Sequence, residues 1–337
     1  MKHTNSLFIL LFISLALTFT ACGGGGGGGN EEVVITYNAN GATSGTVPAS
    51  QKVISGQTFT VQSNSGNLER TGYIFDGWNY YFSSSRGPSK QRIAEGGLLF
   101  TGDMSDKTLY ARWVELPTMI SIPGQDFKMS KTEVTIELYM LITGDYDHDN
   151  VPFNHFYEQN YGSLFDHDLY PADSISWYAA VKFCNDLSSF YGLKPVYTIN
   201  GSTVTQDLEA SGFRLPTKVE WEYAAAGGEA YIYAGSDNID EVAWYPDNCG
   251  YDLQTNPVTC THPVAQKKVN GYGLYDMTGN VSEWCWDTGT GSLSTHRYLR
   301  GGSWDSIFGF QVNSTSFEIF APETQSSNVG FRIVCKK

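Results

Sequence analysis

Arg300-Gly-Gly-Ser-Trp304 and Gly330-Phe-Arg332 bracket the stretch whose reading decides the fold of this chain. The first is a glycine pair held between an arginine and a tryptophan; the second opens a terminal strand. Between them, Asp305-Ser-Ile-Phe-Gly-Phe-Gln-Val-Asn-Ser-Thr-Ser-Phe-Glu-Ile-Phe320 keeps no clean period. Phe308, Phe310, Phe317 and Phe320 stand among Ser, Asn, Asp and Gly, and no Lys or Arg occurs from Asp305 to Phe331. Aromatic anchors mixed with small polar residues are the composition of a contact surface such as a paratope. A core strand followed by a loop is the competing reading, and the stretch alone does not choose between them.

Outward from this stretch, 337 residues make room for two or three domains. A hydrophobic content of 41% with 14% aromatics is ample for a sizeable core, and 36 glycines among 21 Tyr, 19 Phe and 8 Trp point to loop-rich, aromatic-packed architecture. The net charge of −14 argues against nucleic acid, because a phosphate backbone needs a basic face.

Met1-Lys-His3 followed by the apolar run Leu7 to Phe19 reads as a secretory signal, removed at about residue 21. Thr20-Ala-Cys22 resembles a bacterial lipobox, with Cys22 as the lipidated residue, although Phe19 departs from the aliphatic residue usual there. An ordinary secretory signal that contains a cysteine is the alternative. Gly23 to Gly29 would then be a flexible tether across residues 22–31. No other stretch approaches the roughly 20 apolar residues of a spanning helix, so the expected membrane link is lipid, at a bacterial cell surface or outer membrane. Of the remaining cysteines, Cys249 and Cys260 flank a loop that a disulfide could close, while Cys184 lies in a helical pattern and reads as buried. No Cys-x-x-Cys pair or Cys/His spacing suggests zinc.

Residues 32–115 are strand-and-turn material. Tyr37-Asn-x-Asn-Gly41, Thr71-Gly-Tyr-x-Phe-x-Gly-Trp78 and Leu109-Tyr-Ala-Arg-Trp113 occur in that order and resemble the Listeria–Bacteroides repeat of bacterial surface proteins. The resemblance implies a small β-grasp-like spacer without catalytic residues.

Residues 117–335 form the larger unit. Ile120 to Met129 reads as a hairpin, Asp173-Ser-Ile-Ser176 caps a helix from Trp177 to Phe190, and Thr217 with Glu220 makes a capping box before a helix ending at Gly227-Gly228. Met129-Ser-Lys-Thr-Glu-Val-Thr135, Ser176-Trp-x-x-Ala180, Phe213-Arg-Leu-Pro-Thr-x-x-Glu-Trp-Glu-Tyr-Ala-Ala225 and Asn270-Gly-Tyr-Gly-Leu-Tyr-Asp-Met-x-Gly-Asn-Val-x-Glu-Trp284 precede the two bracketing landmarks. Together these motifs resemble the formylglycine-generating-enzyme (sulfatase-modifying factor) domain. The resemblance implies an α+β, C-type-lectin-like fold with short twisted sheets, two helices and long loops.

The oxidases of that family use a cysteine pair between the two landmarks, and here Trp304 to Phe331 contains no cysteine. Thiolate chemistry and a copper site then lack their ligands, so the sequence reads as a non-enzyme with no required cofactor. The histidines form no i, i+4 pair, no Gly-x-Ser-x-Gly elbow occurs, and Asp145, Asp147 and Asp149 lack the glycine and terminal glutamate of a calcium hand. The family resemblance does imply a structural Ca2+ held by the side chains of Asp276 and Glu283 and the carbonyls of Gly279 and Val281, with a metal-free polar turn as the alternative.

A second resemblance covers the same fold. The variable proteins of diversity-generating retroelements carry a hypervariable segment between a Gly-Gly-Ser-Trp-like landmark and the terminal strand, diversified by adenine replacement in Asn-type codons. That rule implies ligand contacts at Asp305, Ser306, Ile307, Phe308, Gly309, Phe310, Asn313, Ser314, Ser316, Phe317 and Phe320. Gln311, Glu318, Glu323 and Gln325 would be fixed scaffold. The expected function is a monomeric, lipid-anchored receptor or adhesin for a protein or other cell-surface ligand. A non-variable surface binding protein and an enzyme of the same fold are the alternatives.

Overall fold

The computed structural model describes residues 31–84, 87–100, 107–144, 169–250, 261–306 and 316–337. The expected signal and lipobox with Cys22, residues 145–149 and Cys260 lie outside the described residues.

The first unit is a five-stranded sheet with a two-stranded ribbon. Its strands are β1 (Glu32–Asn38), β2 (Gln51–Ile54), β3 (Thr58–Thr60), β4 (Tyr73–Ser84), β5 (Gly87–Ile93), β6 (Leu98–Phe100) and β7 (Lys107–Glu115). The sheet runs β2-β1-β7-β4-β5 and the ribbon pairs β3 with β6. Val33, Ile35 and Tyr37 alternate inward along β1, the period-two pattern of a half-buried strand. They pack with Trp78, Leu109 and Ala111 into a core of their own. Asp76-Gly77 forms a bulge inside β4, where the register against β7 slips between Phe75 and Trp78. Gly77 sits at φ 85°, and a Cβ there would lie 2.4 Å from the carbonyl oxygen of Ile93.

This bulge re-aims Asp76 onto two arginines. Arg92 grips it with Nε and Nη2, at 2.8 and 2.6 Å, and buried Arg112 shares the Oδ2 that Arg92 Nε also takes. Arg112 also reaches Glu137, at 3.1 Å, on α1 (Ile136–Thr143) of the second unit. The two units are therefore joined by a buried ion chain, with Val114 at the end of β7 entering the second core.

The second unit begins with β8 (Met119–Ser121) and β9 (Phe127–Ser130), the expected hairpin. Helix α1 starts at Thr135, whose hydroxyl accepts from the Leu138 amide, and stops at Gly144 in the left-handed conformation. Helix α2 (Trp177–Phe190) has Ser176 as its N-cap and buries Trp177, Ala180, Val181, Cys184 and Leu187 along one face. The ribbon β10 (Tyr197–Asn200) with β11 (Thr203–Gln206) leads to α3 (Lys218–Ala226). There Thr217 and Glu220 make the reciprocal capping box, and Glu220 also pairs with Arg214 at 2.6 Å. After the short α4 (Ile239–Val242) come β12 (Ser282–Thr288), β13 (Arg297–Arg300), β14 (Phe317–Phe320), β15 (Val329–Gly330) and β16 (Val334–Lys336).

One sheet runs β14-β13-β12-β15, and a second, β16-β9-β8, brings the C-terminal strand onto the first hairpin. Trp177, Phe183, Trp284 and Phe331 are fully buried between these layers. The Phe183 ring stacks on Tyr139 and meets Phe331 edge-on. The indoles also find acceptors, Trp284 on the Ile175 carbonyl at 2.7 Å and Trp177 on that of Cys285 at 3.0 Å. Among the described residues, no helix is long and apolar enough to cross a membrane.

Candidate ligand-binding surface and buried carboxylate centre

Backbone contacts fix both described ends of the stretch between the landmarks. Gly301 and Gly302 take φ 91° and 67°, and a Cβ on Gly301 would lie 3.2 Å from the Trp221 ring. The Gly301 carbonyl accepts from the Gly279 amide at 3.0 Å, and the Trp304 amide donates to the Asn280 carbonyl at 2.9 Å. The Trp304 indole donates to the Ser327 carbonyl at 3.1 Å. Arg300 then ties the other end, donating to the Ser316 carbonyl at 3.0 Å and to the Glu222 carboxylate on α3 at 2.7 Å.

Phe317 follows on β14 with 55% of its surface exposed. Its ring leans on Tyr298, with centroids 5.1 Å apart, and the Lys218 ammonium sits 4.3 Å above that same tyrosine. An exposed phenylalanine on a strand locked by Arg300 is a rigid apolar anchor of the kind that binds with little loss of side-chain entropy.

The other expected contacts divide. Ile307, Phe308, Gly309, Phe310, Asn313 and Ser314 lie outside the described residues, as does Gln311. Ser316 is half-buried, and its carbonyl accepts from Arg300. Asp305 is exposed, as a contact residue would be, and accepts from the Asn328 side-chain amide at 3.3 Å. Ser306 corrects the expectation of an open contact residue: it is buried, and its hydroxyl accepts from the Ser303 amide at 2.9 Å. It locks the turn instead of facing a ligand. Phe320 is likewise half-buried and packs against the main core. Of the residues expected as scaffold, Glu318 is half-buried, while Glu323 and Gln325 are exposed. Among the remaining thiols, burial pushes Cys184 and Cys285 well up, away from the thiolate form.

The calcium set implied by the resemblance does not fit these residues. Glu283 is fully buried with both oxygens engaged: Arg332 bonds them at 2.6 and 2.7 Å, and the Trp221 indole adds a third bond at 2.6 Å. A cation at Glu283 would have to displace a buried guanidinium. Arg332 completes its own bonding on the carbonyls of Ser130, Tyr275 and Asp276. Asp276, at a left-handed φ of 55°, turns its carbonyl to Arg332 while its side chain accepts from the Ala265 amide at 2.7 Å. Burial raises its carboxyl to about 6. Gly279 and Val281 continue the same turn, and Asn280 between them donates to Glu133 at 3.2 Å.

Glu133 was absent from the sequence-based site. It is 2% exposed, burial and the neighbouring Asp276 raise its carboxyl well above the usual range, and it lies 143 positions from Asp276. Only its place in the Met129–Thr135 motif hinted at more than a helix approach.

Three comparisons place this geometry among known proteins. The model of the sulfatase-modifying factor enzyme 1-like domain matches residues 84–337, beginning inside the first sheet. A chaperone protein LppX from Paenibacillus barcinonensis is 36% identical over 211 residues, covering 54% of this chain and 70% of that protein. The formylglycine-generating enzyme of Streptomyces coelicolor is 34% identical over 166 residues, 41% of this chain, which spans 51% of that enzyme's length. Among solved structures, Treponema denticola variable protein 1 superposes with a TM-score of 0.54 at 28% identity, covering 66% of this chain and 93% of that one. The chain belongs to the sulfatase-modifying factor enzyme 1-like domain family, with an α+β, C-type-lectin-like fold.

Proposed function

We propose that the chain is a lipid-anchored surface protein that binds a protein or other cell-surface ligand through the stretch from Asp305 to Phe320, and that a retroelement diversifies this stretch. The carrying observation is Phe317, 55% exposed on a strand that Arg300 ties to both the Gly-Gly-Ser-Trp landmark and α3. A fixed backbone presenting an exposed aromatic is suited to recognition, because side chains can change on it without unfolding the core. The similarity to Treponema denticola variable protein 1 supports the same reading. In this reading the protein is not an oxidase, since no cysteine occurs between Trp304 and Phe331. Lipid on Cys22 would provide the anchor.

Resequencing the gene across a bacterial population tests this. Variation should concentrate in the codons of Ile307, Phe308, Phe310, Asn313 and Phe317, with Trp304, Gln311, Glu318 and Gln325 unchanged. Uniform conservation across the stretch would remove the diversification. Conversion of a cysteine-containing sulfatase peptide to its aldehyde by the purified chain would establish an enzyme instead.

A further inference from the structure

Trp244 stands at the centre of a cluster beside the Gly-Gly-Ser-Trp landmark. The His262 ring stacks on it, with centroids 3.7 Å apart and planes 15° from parallel, and the Lys267 ammonium sits 3.9 Å over the same side chain. His262 Nε2 lies 3.0 Å from the Cys249 carbonyl, which can only accept, so Nε2 carries the proton of the neutral ring. The buried Cys249 thiol points at the carbonyls of Pro246 and Trp304, at 3.9 and 4.0 Å. Asn280, fully buried, closes the circle. Its backbone amide donates to the Trp244 carbonyl and its own carbonyl accepts from the Trp304 amide, both at 2.9 Å. Its side chain bonds the His262 amide at 3.0 Å and the His262 carbonyl at 3.2 Å. One imidazole thus joins Trp244 and Cys249 to the start of the stretch at Trp304.

This setting opposes a second proton on the ring. Burial holds His262 below its ordinary value of 6.5; the bond to the Cys249 carbonyl acts the other way, and the nearby Lys267 charge adds to the burial. Lys267 Nζ donates to the Asp240 carbonyl at 2.8 Å, and the charges of Asp240 and Asp276 act on that ammonium. Glu133 meets Asn280 Nδ2, not the imidazole. No described carboxylate therefore offsets the charge that His262 would gain.

We propose that His262 is an acid-sensitive clasp: its neutral ring holds Trp244, Cys249 and Trp304 together, and protonation releases them. The open form takes up a proton at the ordinary imidazole value of about 6.5, whereas the closed form takes it up only at lower pH. Closure is fully favoured above that value and weakens as pH falls through it, by at most about tenfold in the opening equilibrium per pH unit. The consequence rests on the reading of Asp305–Phe320 as the contact surface: acid frees the start of that stretch and weakens its hold on a ligand.

Hydrogen exchange of the full chain between about pH 7.5 and about pH 5, corrected for the intrinsic rate, tests the clasp without any ligand. The clasp and the contact surface can therefore fail separately. Protection of the Cys249, Asn280 and Trp304 amides should fall about tenfold in wild type on acidification. His262→Gln keeps a donor for the Cys249 carbonyl and cannot be charged, so its protection should stay level. The core amides of α2 should not follow, which separates local release from global unfolding. Level protection in wild type, an equal fall in H262Q, or a parallel fall in α2 each overturns the proposal. Should H262Q not fold, His262→Phe makes the same comparison, keeping the stack on Trp244 without a titrating group.

Discussion

Arg332 and Arg300 come from the two landmarks that bracket one stretch, and the fold uses them in opposite ways. Arg332 is fully buried, bidentate on Glu283, with its remaining donors on three backbone carbonyls. It joins the β9 hairpin, the Asp276 turn and β12 in one knot. Arg300 is buried too, but its partner Glu222 has a side chain 40% exposed, and its carbonyl contact is to Ser316 at the rim. A guanidinium whose partners are all buried fixes the scaffold. One whose partners reach solvent positions the surface. Burial of the partner, not of the arginine, separates the two roles.

Removing each in turn tests the contrast. Arg332→Met strands the buried Glu283 carboxylate and should destabilise by about 3–5 kcal/mol in urea unfolding. Arg300→Met should cost less, about 1–2 kcal/mol, because Glu222 on the rim is free to hydrate once its buried partner is gone. Equal losses would erase the distinction between knot and rim.

The junction of the two units offers the next largest effect. Arg112→Gln leaves Asp76 with Arg92 but removes the buried Arg112–Glu137 ion pair, and should cost about 2–3 kcal/mol. Hydrogen exchange should rise at β7 and α1 together. A change confined to the first sheet would mean that the Arg112–Glu137 contact does not couple the units.

Asp173 marks where core gives way to rim. It is buried beside Ser174, whose amide donates to the Ser326 carbonyl in the loop before β15. Burial pushes its carboxyl up to about 8, against the opposing effect of the Ser174 hydrogen bond. The folded state therefore holds a proton that the unfolded chain releases near pH 4, so wild-type stability falls as pH rises from about 4 to about 8. Asp173→Asn removes this dependence and should be more stable than wild type by about 1–3 kcal/mol at pH 8, with the difference closing towards pH 4. A difference independent of pH would show an Asp173 that ionises freely.

Phe317→Ala should have the smallest effect on stability, under about 1 kcal/mol, because the ring is more than half exposed. Its effect on ligand binding should be large, read as loss of capture by surface plasmon resonance once a ligand is known. A large fall in Tm would instead make Phe317 part of the core with Phe320.

Local chemistry was legible in the chain. Ser176, the Thr217–Glu220 box and the stop at Gly227 involve residues within four positions of one another, so their side chains declare the helix ends directly. The landmarks and their order were equally readable, as was the buried face of α2. Other readings failed for one reason. The bulge at Asp76-Gly77 was not readable in the chain, because it is set by the two strands on either side of β4. Ser306 has the composition of a variable contact, but Ser303 turns its hydroxyl inward.

By itself, the sequence determined the family, the helix caps, the glycine stop of α3 and the absence of a cysteine pair between Trp304 and Phe331. Tertiary structure decided which charges meet. Glu283 takes Arg332 across 49 positions, Arg112 takes Glu137 from the other unit, and Glu133 faces Asp276. The physical reason is that a carboxylate advertises a need for a partner but not its address. Only the packed chain sets the distance and burial that give each pairing its strength.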